Sequence, residues 1–418
     1  MIQFIHAADI HLDSPLRGLE RYEGAPVEEI RLATRRALEN MVQLAITEKV
    51  QFVLIAGDIY DGDWKDYNTG LFFVKMMSKL QAADILVFII SGNHDAASQV
   101  SKNLSLPANV RILNNKKPET ITIPDLSIAI HGQGFSQRVI TNNLALHYPK
   151  ALPDCFNIGM LHTSASGREG HESYAPCSVE QLLEKGYDYW ALGHVHTREI
   201  LHQTPWIVFP GNIQGRHIRE TGGKGATLVT VEEQQILSVE HKNLDVFRWK
   251  HCEVSAVDLE YGEDVVVLAE EKIQEIMNME DGFPAGIRLR ITGSCRAHHE
   301  LSKNPTHWIN EIRAVANNLN VWLEKINIQT CAEINWDELG KQDDPIGGLI
   351  RTLDEMILSE DKKDRWAGDF AELQRRIPAE LQEGLDAIDL KSPEKFSELC
   401  EDIKHFLIPQ LLSKGDSP

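Results

Sequence analysis

The chain has no Cys-x-x-Cys pair; Cys155, Cys177, Cys252, Cys295, Cys331 and Cys400 are scattered along it. That spacing excludes a zinc ribbon and a disulfide framework, and it predicts reduced thiols with structural roles. No apolar run reaches the ~20 residues of a transmembrane helix. The first apolar segment is a short strand that ends at Asp9 rather than a signal peptide, so the expectation is a cytoplasmic protein with no membrane contact. Positive charge is also scarce, with 42 Lys and Arg against 62 Asp and Glu. The formal charge of −20 excludes broad electrostatic attraction to nucleic acid, so any DNA contact has to be local or metal-assisted. At 418 residues, 42% hydrophobic and 25% charged, the chain suits two or three globular domains.

What is present begins with Phe52-Val53-Leu54-Ile55-Ala56, an uncharged run that stops at Gly57-Asp58-Ile59-Tyr60-Asp61. Such a run predicts a strand buried on both faces, and Gly57 permits a sharp turn that projects Asp58 from its carboxyl end, where open α/β sheets hold ligands. An isolated Gly-Asp is more often a turn or a helix cap. Here, however, four more clusters follow apolar runs: Asp9-Ile10-His11, Gly92-Asn93-His94-Asp95, the segment ending at His162, and Gly193-His194-Val195-His196. Independent turns rarely repeat that plan five times. All five clusters can line one edge of a sheet or of paired sheets, with Asp58 placed to bridge two metal ions.

Along the chain, Ile2–Ala8 reads as the first strand, a helix follows over Ile30–Ala45, Leu71–Leu80 is a second helix, and Ile85–Ile90 is a second buried strand. His6, His131, His147 and His202 fit satisfied structural histidines better than ligands. Asp13 and Arg17 read as loop residues, with Arg17 near enough in sequence to reach a phosphate. The loop Thr163–Glu172 is a candidate substrate lip or a plain connector. Donors gather again from Phe209 to Arg219, where Arg216, His217 and Arg219 are candidate substrate-binding residues suited to phosphate oxygens.

Ala226–Val231 and Gln235–Val239 look like closing strands, which places the first boundary near 245. The expected domains are 1–245, carrying all the clusters, a smaller α/β accessory unit over 246–340, and a helical region over 341–418. The last opens at Asp344-Pro345, a favourable helix start. Its stripes, Ile346 to Ile357 and Phe396 to Leu407, have helical spacing. They suit either docking of a protein partner or packing on the chain's own body.

The five clusters read in order as D-x-H, G-D-x-x-D, G-N-H-D, a lone histidine and G-H-x-H. This set resembles the signature of the calcineurin-like metallophosphoesterases, and within them the DNA-repair nuclease branch of SbcD-like, YhaO-type exonucleases. The resemblance implies an α/β fold: a metallophosphoesterase β-sandwich flanked by helices, a smaller α/β cap-like domain and a helical tail. It implies one metal on Asp9, His11, Asp58 and His196, and another on Asp58, Asn93, His162 and His194, both probed first as Mn2+. The implied reaction is metal-activated hydroxide attack on phosphorus, with His94 assisting the leaving group and Asp95 orienting the His94 ring. Asp61 is assigned a supporting place behind these residues. Implied partners are DNA and a coiled-coil ATPase (SbcC-like or YhaN-like), and the resemblance also allows a homodimer. Gly-Asn-His-Asp, with no Arg-Gly after Asp61, tilts away from phosphoprotein phosphatases. A small-molecule or phosphoprotein substrate stays as the alternative, and a non-catalytic scaffold is disfavoured because no ligand of the set is missing.

Overall fold

The computed structural model describes residues 1–14, 27–61, 67–97, 105–165, 175–279, 283–319, 321–333, 336–359, 365, 368, 370–377 and 392–415. Arg17 and most of the Thr163–Glu172 loop (residues 166–172) lie outside the described residues. The chain forms two compact units. One runs to Lys250 and takes back the segment ending at Ile287; the other comprises the remainder from His251 onward.

The first unit is built on two six-stranded sheets. Its strands are β1 (Ile2–Ala7), β2 (Phe52–Ile55), β3 (Leu86–Ile89), β4 (Val110–Ile112), β5 (Glu119–Ile123), β6 (Ile128–Gln133), β7 (Phe156–His162), β8 (Tyr189–Gly193), β9 (Glu199–Gln203), β10 (Trp206–Phe209), β11 (Gly225–Glu232) and β12 (Gln235–Asn243). One sheet has the order β12-β11-β1-β2-β3-β4 and the other β5-β6-β7-β8-β10-β9. In the first, β1 to β4 are mutually parallel while β11 runs antiparallel to both β1 and β12. In the second, β6, β7, β8 and β10 are parallel, with β5 and β9 as antiparallel edges.

The uninterrupted apolar runs behave as their composition predicts. Side chains alternate across a strand, so a strand covered on both sides has to be apolar at every position. In β2, Phe52 and Leu54 face the core between the sheets with Phe4, Phe88, Ile158 and Val229. Val53 and Ile55 face the other way, toward helix α1 (Val27–Thr47) and helix α2 (Tyr67–Ala82), which contribute Leu38, Met41, Phe73 and Met77. Phe4 stacks on Phe52 at 4.9 Å and meets Tyr189 edge-on at 5.4 Å. Each fully buried aromatic of this kind contributes about 1.5–3 kcal/mol of transfer free energy.

His6 points into the same core. It accepts from the Tyr189 hydroxyl at 3.0 Å and donates from Nε2 to the Leu192 carbonyl at 3.0 Å, and burial takes its pKa down to about 3. His131 is likewise satisfied, between Thr120 and Asn157. Both are structural histidines, as their settings in the sequence suggest.

A third sheet is formed by β13 (Arg248–Ser255), β14 (Ala285–Cys295) and β15 (Trp322–Ala332), in that order. Asp344 caps the helix Pro345–Leu358 by accepting from Gly347 N at 2.7 Å. That helix packs against the helix Pro393–Gly415, burying Ile350, Leu353, Phe396 and Cys400. Phe406, from the same stripe as Phe396, is 69% exposed, so the stripe is only partly consumed by this packing. Among the described residues no helix is long and apolar enough to cross a membrane.

Candidate metal centre

The clusters lie where the parallel strands end. Asp9 and His11 follow β1, Asp58 follows β2, and Asn93 and His94 follow β3 in the first sheet; His162 closes β7, and His194 and His196 follow β8 in the second. The chain turns sharply at these points. Asp9, His11, Asp58 and His194 all have positive φ, at 52°, 45°, 54° and 105°. Left-handed backbone at non-glycine residues costs on the order of 1 kcal/mol or more each and concentrates at functional sites. Backbone bonds fix it here: Asp9 N donates to Gly57 O and His11 N to Asp58 O, both at 3.0 Å. Gly57, with φ of 97°, is obligatory, because a Cβ there would stand 2.5 Å from His162 Nδ1.

Asp9, His11, Asp58, Asn93 and His162 are buried, and His196 keeps 25% of its side chain exposed. Asp9, His11 and His196 offer ligand atoms that lie within 4.8 Å of one another, as do those of Asp9, Asp58 and His162. The tautomers can be argued from the outer bonds. His162 Nδ1–H donates to the Ala56 carbonyl at 2.9 Å, which turns the Nε2 lone pair toward Asn93 Oδ1 at 2.9 Å and Asp58 Oδ2 at 3.4 Å. His196 Nδ1–H donates to Glu220 Oε1 at 2.6 Å, which turns its Nε2 toward His11 Nε2 at 3.2 Å and Asp9 Oδ1 at 3.8 Å. Lone pairs therefore converge without donors between them, an arrangement that a cation relieves. The donor set of imidazoles, carboxylates and one amide oxygen fits divalent metal.

Electrostatics say the same. Burial raises Asp9, and the Asp58 charge adds to the rise. Burial and then Arg216 keep His11 neutral, the state in which imidazole binds metal. Burial opposes protonation of His162, but the Asp58 charge and hydrogen bond outweigh it and lift His162 to about 9. Positive charge is favoured at that edge of the ring, where a cation would sit. His194 donates its backbone N–H to Asp9 Oδ2 at 2.9 Å, and its ring lies 5.3 Å from that of His162.

His94 stands at the rim, 29% exposed, with its ring 5.0 Å from His11. Its orienting partner differs from the sequence expectation. Asp61 Oδ1 accepts from His94 Nδ1 at 2.8 Å, whereas Asp95 is occupied by three backbone N–H groups, those of Ile59, Tyr60 and Gly92, at 2.9–3.0 Å. The local geometry explains the correction: Asp95 is the third residue of the short helix Asn93–Ala97 and turns inward to tie it to the Asp58 loop. Burial and then Asp58 raise Asp95 to about 6. Burial works against charge on His94 as well, but the Asp61 bond and the Asp58 and Asp61 charges prevail and raise it.

The proposed phosphate donors divide. Arg216 is turned inward onto carboxylates, reaching Asp61 Oδ2 at 3.7 Å and Glu220 Oε1 at 3.5 Å. His217 is half exposed, 3.4 Å from Glu220, and Arg219 is exposed. Sequence reasoning missed Glu220, which is buried and accepts from His196, from Arg216 N at 2.7 Å and from Asn212 Nδ2 at 2.9 Å. Its only signal was proximity to the Gly211–Arg219 stretch. Burial pushes the Glu220 carboxyl up, but His196 and Arg216 hold it well below the ordinary range.

The comparisons with known proteins agree with this geometry. Residues 2–198 match the family model described as calcineurin-like phosphoesterase, and residues 249–331 match the middle domain of the metallophosphoesterase YhaO. The chain is 32% identical over 370 residues to YhaO of Bacillus subtilis strain 168, described as an uncharacterized metallophosphoesterase, covering 86% of this chain and 88% of that one. It is 26% identical over 280 residues to the DNA double-strand break repair protein Mre11 of Saccharolobus solfataricus, covering 58% and 68%. With Mre11 of Sulfurisphaera tokodaii it shares 24% identity over 260 residues, covering 58% and 63%. Ligand-type residues at the ends of parallel strands, a paired-sheet fold and a YhaO relative matched along most of both chains together place this chain in the calcineurin-like phosphoesterase family, on its YhaO branch.

Proposed function

We propose that this phosphoesterase acts on DNA as a metal-dependent exonuclease or endonuclease in repair. The observation that carries the chemistry is the convergence of buried lone pairs beneath a rim histidine. Asp9, His11, Asp58 and His196 would hold one divalent ion, and Asp58, Asn93, His162 and His194 the other, with Mn2+ as the first metal to try. Bound there, the ions supply Lewis-acid polarisation of a phosphoryl group and a nucleophile at neutral pH. The chain's own work is then mostly positional. Asp61 holds His94 by Nδ1, which leaves Nε2 to give a proton to the departing sugar oxygen.

Support for DNA comes from the similarity to relatives named for double-strand break repair. A chain of net charge −20 has little unaided grip on a polyanion, which favours a partner, and we assign that role to a coiled-coil ATPase docking on the helical region beyond 341. The test is a panel: purified protein with Mn2+ and linear single- or double-stranded DNA, a cyclic nucleotide or a phosphopeptide. Fastest turnover on DNA is expected. Turnover confined to the cyclic nucleotide or phosphopeptide replaces DNA by that substrate.

A further inference from the structure

Two carboxylates outside the ligand set each hold one functional histidine by its Nδ1: Asp61 holds His94 at 2.8 Å and Glu220 holds His196 at 2.6 Å. One guanidinium lies between them. Arg216 Nη1 is 3.7 Å from Asp61 Oδ2 and 3.4 Å from Ser14 Oγ, while Nη2 is 3.5 Å from Glu220 Oε1 and 3.3 Å from His196 Nδ1. Its backbone N–H also donates to Glu220 Oε2. Ser14 donates to Asp61 from the other side. Resting on the reading that His196 binds metal and His94 handles the proton, we propose that Arg216 is a positioning residue, a strut that ties the two histidines together through their carboxylates.

The alternative use of Arg216, as a grip on substrate phosphate, fits less well. A guanidinium is a planar fork whose donors suit two carboxylates at once, and this one is only 15% exposed. Its charge is already taken up by Asp61 and Glu220, two carboxylates against one guanidinium, which leaves little for a phosphodiester. Without Arg216, two carboxylates would be left mutually repelling in a partly buried setting, and each would be free to rotate away from its histidine. A strut also explains why residues so far apart in sequence, Ser14, Asp61, Arg216 and Glu220, form one chain of contacts around the site.

The experiment reads the metal-free protein first. Nitrogen-15 spectra of the histidine rings are recorded for the wild type and for Arg216→Gln. The strut predicts displaced ring resonances for both His94 and His196, with His6 and His131 unmoved. Should His6 and His131 move as well, the fold has changed; Arg216→Lys then serves, keeping the charge without the fork, and smaller shifts of the same two rings are expected. Displacement of neither ring, or of His196 alone, overturns the proposal. Mn2+ titration follows, where the variant is expected to bind about 10–100-fold more weakly at the His196 site. Unchanged Mn2+ affinity with a raised KM for DNA also overturns it, in favour of a phosphate grip. A wild type that binds no Mn2+ refutes the proposed function instead, and the ring spectra still decide the strut.

Discussion

Replacing Gly92 by alanine tests the proposed bridging role of Asp58 through sterics, with the carboxylate chemistry left intact. A Cβ at Gly92 would stand 2.2 Å from Asp58 Oδ1, 2.8 Å from Asp58 Cγ and 2.7 Å from Asp58 N. Ordinary contact begins at 3.4 Å, so the oxygen has to withdraw by the difference between 3.4 and 2.2, which is 1.2 Å. The backbone cannot absorb it. Asp58 has φ of 54° and its carbonyl is held by His11 N, while His94 N binds Oδ1 itself at 2.9 Å. A shift of this size exceeds the ~0.5 Å within which functional groups must be held. Overpacking should cost about 1–3 kcal/mol of stability, and Mn2+ affinity should fall at least about 10–100-fold at both sites. Gly348→Ala is the control, since its Cβ meets nothing nearer than Arg351 Nη2 at 3.9 Å. In a helix interior that change should stabilise by about 0.5–1 kcal/mol. Calorimetric Mn2+ titration with urea melts reads both quantities. Two Mn2+ bound by Gly92→Ala with wild-type affinity would refute the steric argument and the bridging position together.

Asp58→Asn should weaken both metal sites together, because one carboxylate reaches toward His11 at 3.9 Å and His162 at 3.4 Å; anomalous scattering that finds two full sites in the variant removes the bridge. His94→Ala should retain fold and metals but slow cleavage by roughly 10²- to 10⁴-fold. The loss should be far smaller for a phenolate leaving group, and equal losses on alkoxide and phenolate would exclude proton donation. His6 should make the protein acid-sensitive. Its pKa falls from 6.5 unfolded to about 3 folded, so below pH 6.5 only the unfolded chain takes the proton and stability declines with falling pH. Between pH 6.5 and 5 that amounts to about 1.6 kcal/mol. Urea midpoints of His6→Gln should lose this slope, and an unchanged slope assigns it to other groups.

Local pattern carried much of this. The uncharged run at 52–56 is buried throughout and that at 85–90 everywhere but Leu86, and the ligand-type clusters that follow these strands stand at the sheet's end. While the choice of ligands comes from the family resemblance, that reasoning puts the clusters that contain Asp9, His11, Asp58, Asn93, His162, His194 and His196 at strand ends. It fails where a residue's role depends on which loops meet. Asp95 adjoins His94 in sequence while Asp61 is far from it, yet the inward turn of the short helix gives Asp95 to backbone amides and leaves His94 to Asp61. Glu220 follows no strand and belongs to no period, so its bond to His196, 24 residues earlier, had no sequence signature. Helix ends were legible where chemistry marks them, as at Asp344-Pro345.

The pairing of β1 with β11 sets a timetable for synthesis. Ile2 lies opposite Val231, so one edge of β1 stays open until 229 further residues have been made. At ~5–20 residues per second that is roughly 10–45 s. Throughout it, the nascent chain presents an apolar strand edge of the kind that recruits other strands. A polypeptide arrested between His196 and Gly225 would therefore carry every residue proposed to touch metal and still be a poor folder. Its yield as soluble protein should recover only once β11 is added.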